Sequence, residues 1–306
     1  MCSSDLQRFL REAFEEQHRE FTGRRYRFTI PEAAEFRDTI VLLLQNNRAF
    51  LTEKNRVDIY TRGDEKFGAL FAAIRGARHH IHLEYFVINN DELGQAVIHA
   101  LAEKAREGVE VRLLFDAMGT RAGGGSRKAF SELTDAGGKI GVFFPSVYRV
   151  NYRNHRKVAV IDGMVGFIGG FNIGDEYLGK GPLGPWRDTA FQITGRAVQM
   201  LQLRFFLDWH YATGDYPGPG PRPHYFPDPG DPGTTPVQIV SGGPDTRWNP
   251  IKEGYIKLIN SARESVYIQT PYFIPDESVT DALRLAALSG IDVRVMIPCK
   301  PDQDRN

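Results

Sequence analysis

The chain has 306 residues, 42% hydrophobic and 25% charged, enough for one large core or two smaller ones in an ordinary globular protein. Lys+Arg 38 balances Asp+Glu 38, so no global field recruits nucleic acid or anionic lipid and any basic site must be local. The two cysteines, Cys2 and Cys299, form no metal-ligand spacing, no charged start leads into a signal-peptide core, and no apolar run approaches the ~20 residues of a membrane-spanning helix.

Residues 1–28 are polar, with Phe9, Leu10 and Phe14 at helical spacing; a surface helix and an interfacial membrane helix both fit. A second helix is expected over 31–47, with Pro31 at its start and Ile40, Leu43 and Leu44 on its apolar face. An α/β alternation then begins: strand 56–60, helix 64–75, strand 81–88, helix 92–106 and strand 109–115. Helices of that length between apolar strands predict a mainly parallel sheet covered on both faces. Gly119 to Gly125 reads as a loop at a strand's end. His80, His82 and Glu84 share one strand face. The histidine group His79, His80 and His82 lacks further ligands at metal spacing, so structural histidines are expected and no metal. Glu84, further along that face, fits a buried, paired carboxylate.

The stretch from His155 to Asn172 carries the chemistry. His155 and Lys157 stand two apart at the head of the apolar run Val158 to Ile161, and a strand's period of two sends both to one face. Asp162-Gly163 is a hairpin signal, and Met164 to Ile168 returns as a second strand. Gly169 and Gly170 bring bare backbone to the sheet's end, with Asn172 just beyond. An imidazole, an ammonium and a carboxamide beside glycine backbone suit a phosphoryl group. Further on, Asp188 precedes a strand over 190–193 and fits a surface pair with Arg187. A helix over 197–211 presents Leu201, Phe205 and Trp209 to the core.

Eight of the 18 prolines fall between Pro217 and Pro236, which predicts a semi-rigid linker or a long excursion over 214–236. Beyond it the first half begins again: Ala77 to Glu84 is echoed by Ala262 to Gln269, and Gly108 to Arg112 by Gly290 to Arg294. This is an internal duplication. His155 lies 43 residues past Arg112, and the same count from Arg294 reaches position 337, so the second copy is expected to stop short of its own motif. The expected organisation is a helical arm over 1–48, a first α/β domain over 49–213, the linker over 214–236 and a truncated second copy over 237–306.

The pattern H-x-K-x4-D-x6-G-G-x-N resembles the HKD signature of the phospholipase D superfamily. Gly169-Gly170, where that family often has Gly-Ser, and the run Asn172 to Gly179 resemble the first motif of bacterial cardiolipin synthases. The resemblance implies a duplicated α/β sandwich and a site of His155, Lys157 and Asp162, the last ordering its turn. It further implies phosphate contacts from Asn172, Gly169 and Gly170, Asp188 orienting His155, Glu84 at the rim, and no cofactor. The implied reaction joins two phosphatidylglycerols into cardiolipin plus glycerol at a membrane surface on the cytoplasmic face, without nucleic acid. A second HKD-bearing half or a homodimer would complete the site. The N-terminal membrane helices usual in these synthases are not in this sequence. A phosphodiesterase of the same superfamily, or an inactive phosphate-binding fragment, would carry the same motif.

Overall fold

The structure is a computed structural model that describes residues 4–122, 127–143, 153–181, 184, 186–215, 225–243 and 246–299. In chain order its elements are α1 (Ser4–Thr22), α2 (Arg37–Asn47), β1 (Leu51–Tyr60), α3 (Gly63–Gly76), β2 (His80–Tyr85), α4 (Glu92–Arg106) and β3 (Glu110–Asp116). Then come α5 (Ala117–Ala122), α6 (Ser131–Asp135), β4 (Lys139–Phe143), β5 (Val158–Ile161), β6 (Val165–Gly169), β7 (Ala190–Thr194) and α7 (Ala197–Thr213). The remainder is β8 (Thr235–Gln238), α8 (Pro250–Ser261), β9 (Ser265–Gln269), α9 (Glu277–Leu288) and β10 (Asp292–Met296). Among the described residues no helix is long and apolar enough to cross a membrane.

Two compact units emerge, one of residues 1–8 and 52–237, the other of 9–51 and 238–306. The first holds an eight-stranded sheet in the order β4-β3-β2-β5-β6-β7-β1-β8. β2, β3 and β4 run parallel. The strands β2, β5, β6, β7 and β1 are successively antiparallel. The expected mainly parallel sheet is therefore mixed. Crossover helices enforce parallel pairing only as far as β4, whereas a two-residue turn can join only antiparallel neighbours. Asp162 and Gly163 both take positive φ (54° and 68°), the backbone such a turn requires. The segment Gly119–Ala122, expected as loop, belongs to α5, and Gly123–Gly125 lie outside the described residues.

All six residues of β2 are buried, because the strand is covered on both faces. Ile81, Leu83 and Tyr85 join the main core with Phe67, Leu70, Ile74, Val97 and Leu101 of α3 and α4. The opposite face carries His80, His82 and Glu84 and lies under α7. There Gln202 Oε1 meets His80 Nε2 at 3.0 Å and His82 Nδ1 at 3.2 Å, and Phe205 stacks on the His82 ring at 4.6 Å. Glu110, at 3.3 Å from His82 Nε2, also accepts from Tyr225 Oη at 2.7 Å and pairs with Arg112. Burial would raise the Glu110 carboxyl, but these partners prevail and hold it down to about 2. The buried histidines thus serve a hydrogen-bonded network under α7. Tyr225, from the proline-rich stretch, is buried in this network, so the segment following the undescribed residues 216–224 packs back on the first unit rather than spanning open solvent.

In the second unit β9 and β10 pair in parallel, with Ser265 opposite Asp292. The echoed residues His80 and Glu110 stand opposite each other in the first unit. The helices between repeat their caps too: Asp91 accepts from Gly94 N and Asp276 from Val279 N. The duplication therefore extends from sequence to register. Residues 9–51, which include most of the arm expected over 1–48, contribute Phe21, Ile40, Leu44 and Leu51 as a cluster within this unit.

Candidate active site

The site lies where chain segments meet at the head of β5. His155 is exposed at one edge, while its ring packs against Phe86 with centroids 4.5 Å apart. Lys157 is buried; its Nζ donates to the His155 carbonyl at 2.9 Å and stands 5.3 Å from the Phe86 ring centre. Phe86 approaches this closely because Gly119 lies against it: a Cβ there would sit 2.4 Å from the Phe86 carbonyl oxygen.

Electrostatics follow from this packing. Burial and the Lys157 ammonium both lower the His155 pKa, against the opposing charge of Asp116, so the neutral imidazole is favoured. Burial lowers Lys157 to about 7, with Asp188 opposing. Burial also raises Asp188, against the Thr189 N–H and Lys157. The Asp188 carboxylate accepts from Thr189 N at 2.7 Å. The Asp188 charge thus acts on Lys157, and the Asp116 charge acts on His155. Asp116 is fully buried at the end of β3, accepting from the N–H groups of Met118, Gly119 and Asn154 at 2.9, 3.2 and 3.2 Å.

The two glycines have distinct jobs. A Cβ on Gly169 would sit 2.4 Å from the Thr189 carbonyl oxygen and 2.5 Å from Ala190 Cα, so it permits the close pairing of β6 with β7. A Cβ on Gly170 would sit 2.0 Å from Asp188 Oδ1, so it makes room for that carboxylate. Asn172 accepts from Val87 N at 3.1 Å, and Ile173 bridges to Ile88, which ties the end of β6 to the chain leaving β2. Its amide nitrogen reaches only a long 3.4 Å contact with Tyr177 Oη.

Two candidates fall elsewhere. Asp162 sits at the other end of β5, where its carboxylate accepts from the N–H groups of Arg78, His79 and His80 at 2.8, 2.8 and 2.9 Å. It orders the turn and the entry to β2, five residues along the chain from Lys157. Glu84 is 1% exposed, so the rim assignment is corrected: it lies under α7, bonded to Asn154 and facing Asp208. Asn154, Asp116, Phe86 and Asp208 were not singled out from sequence. Asn154 alone had a signal, its place beside His155; the others are brought in by the sheet and α7.

The eight-stranded mixed sheet with crossover helices, and a His–Lys pair at the head of a central strand beside glycine backbone, define a phospholipase D-like α/β fold. The crystal structure of phosphatidylserine synthase from Haemophilus influenzae Rd KW20 shares the fold, with a TM-score of 0.63 at 16% identity over 88% of this chain and 69% of that one. The profile of the family described as "Cardiolipin synthase, PLD-like domain" matches residues 70–180 and 255–305, and the chain belongs to that family. Among its relatives, the major cardiolipin synthase of Bacillus subtilis (strain 168) is 51% identical over 87% of this chain. A cardiolipin synthase of Staphylococcus aureus (strain Mu50 / ATCC 700699) is 50% identical over 89%. The chain spans 56% of the length of each of these two relatives.

Proposed function

We propose that the chain carries a histidine motif of a cardiolipin synthase-type phosphatidyltransferase, and that His155 is its nucleophile. The observation that carries the reading is the pairing of a half-covered imidazole, held toward its neutral form, with a Lys157 ammonium anchored on the same backbone. A His155 ring nitrogen attacks the phosphorus of phosphatidylglycerol, and the P–O bond to the leaving glycerol breaks. A second imidazole protonates that glycerol, leaving a phosphatidyl–histidine intermediate. The same imidazole then takes the proton of a hydroxyl on a second phosphatidylglycerol, which attacks phosphorus and releases His155 with cardiolipin. Lys157 and the amide of Asn172 stabilise the non-bridging oxygens.

The repeat supports one edge as the place of the second imidazole. β2 has β3 on one side and β5, which leads from His155 and Lys157, on the other. Among the described residues β9 pairs with β10 alone, so an equivalent antiparallel strand would align along its other edge. That strand would come from a second motif-bearing segment, working at a phospholipid surface.

The test is phosphatidyl transfer on phosphatidylglycerol vesicles, alone and with a separately expressed C-terminal half of a related synthase. Product analysis separates cardiolipin from the phosphatidic acid of a hydrolase. Cardiolipin formation with an acid-labile adduct on His155 is expected, and its loss in His155→Asn without loss of fold. Transfer at the wild-type rate by purified His155→Asn would remove His155 from the chemistry.

A further inference from the structure

Behind the nucleophile lies a second group of polar side chains that the reaction does not touch. Around the head of β5, His155 and Lys157 are presented to the site, while Asn154 and Arg156 turn to the α7 side, as the alternation of extended backbone requires. Asn154 is buried and hydrogen-bonded at three atoms. Its N–H goes to Asp116 at 3.2 Å, its amide nitrogen donates to Glu84 Oε1, and its Oδ1 accepts from Arg156 N at 3.1 Å. Arg156 reaches Asp208 at 3.2 Å, and Asp208, also buried, takes Arg204 Nε at 2.9 Å and Nη2 at 2.5 Å. Glu84 stands opposite Val158, the first residue of β5.

One atom in this arrangement lacks a conventional partner: the buried Glu84 Oε2, whose neighbour is the Asp208 carboxyl. Two ionised carboxylates cannot share a buried site, but one proton between them supplies the missing bond. We propose that Glu84 and Asp208 form a buried carboxyl pair sharing one proton, which positions the nucleophile His155 by clamping Asn154 and Arg156 on either side of it. The inference rests on His155 being the nucleophile. Burial and the Asp208 charge raise the Glu84 carboxyl well above the usual range, against Arg156 and Asn154, so the proton resides on Glu84. Asp208 accepts from its two arginines. These are positioning residues; none touches the phosphoryl group.

Glu84→Gln and Glu84→Ala separate this role from simple filling of space. Gln donates to Asp208 and accepts from Asn154 as protonated Glu does, whereas Ala does neither. Glu84→Gln is expected to keep kcat within about 3-fold, and Glu84→Ala to lose about 10- to 100-fold in kcat with KM little changed, the cost of a misplaced reacting group. The second readout needs no turnover. The His155 ring 15N resonances, assigned by difference with His155→Asn, should show one tautomer in wild type and Glu84→Gln and averaging in Glu84→Ala. If no form transfers phosphatidyl groups, the proposed function falls while these resonances still decide the clamp. Glu84→Gln as impaired as Glu84→Ala, or unchanged His155 resonances and kcat in Glu84→Ala, would overturn it. Should Glu84→Ala not fold, Asn154→Ser releases the clamp and leaves the carboxyl pair in place. The same averaging and loss are then expected, and their absence overturns the proposal.

Discussion

Asp162 is a member of the sequence motif, yet the structure gives it no contact with the reacting groups, and replacing it separates the two roles. Its carboxylate holds three consecutive N–H groups, Arg78, His79 and His80, and its own φ of 54° lies in the left-handed region. Charge-assisted hydrogen bonds contribute about 1.5–3 kcal/mol each when sheltered. Two of the three lie at the surface, so their sum in Asp162→Ala is about 2–4 kcal/mol. Placing Ala in the left-handed region adds about 1 kcal/mol. Asp162→Asn keeps an acceptor and tolerates that backbone, so its cost is about 1 kcal/mol. The urea midpoint should fall in that order, wild type, Asn, Ala. Asp162 lies about 16 Å along extended chain from Lys157, so kcat per folded molecule should change little. An unchanged midpoint with kcat reduced more than about 10-fold would place Asp162 in the chemistry and refute the reasoning.

Two further predictions follow from the site. Gly169→Ala puts a Cβ against the backbone of Thr189 and Ala190, which cannot yield, and overpacking of this kind costs about 1–3 kcal/mol. The atoms nearest a Cβ at Gly170 belong to the Asp188 side chain, which can rotate, so thermal melts should rank Gly169→Ala well below Gly170→Ala; equal melting points would contradict the packing argument. The third concerns pH. Lys157 sits at about 7 in the free protein against an ordinary 10.5, so it loses its charge as pH rises through about 7 and kcat/KM should decline on the alkaline side. His155 titrates below its usual 6.5, which keeps it neutral over that range. Lys157→Arg stays charged, so whatever activity it retains should have no alkaline limb. An unaltered limb in that variant would assign it to another group.

Much of the site could be read locally. Helix 92–106 is found with those bounds, and the β5–turn–β6 hairpin follows from an apolar run, Asp162-Gly163 and a second apolar run. The placement of His155 and Lys157 together needs only the period of a strand. β1 begins at Leu51 rather than Arg56, because Thr52, Glu53, Lys54 and Asn55 carry no apolar alternation near the sheet's edge. β4 and β8 were not anticipated either. Strands whose stability comes from a neighbour's hydrogen bonds leave a weak mark in their own sequence.

Sequence by itself determined the duplication and the hairpin, since each is written in short local patterns of residues. Tertiary structure alone decided that the sheet is mixed, that the Asp162 carboxylate also holds the entry to β2, and that the Asp188 charge acts on Lys157 while that of Asp116 acts on His155. Glu84 shows why. On a strand buried on both faces, a carboxyl's role depends on what crosses above it, and that is Asp208 of α7, 124 positions further along the chain.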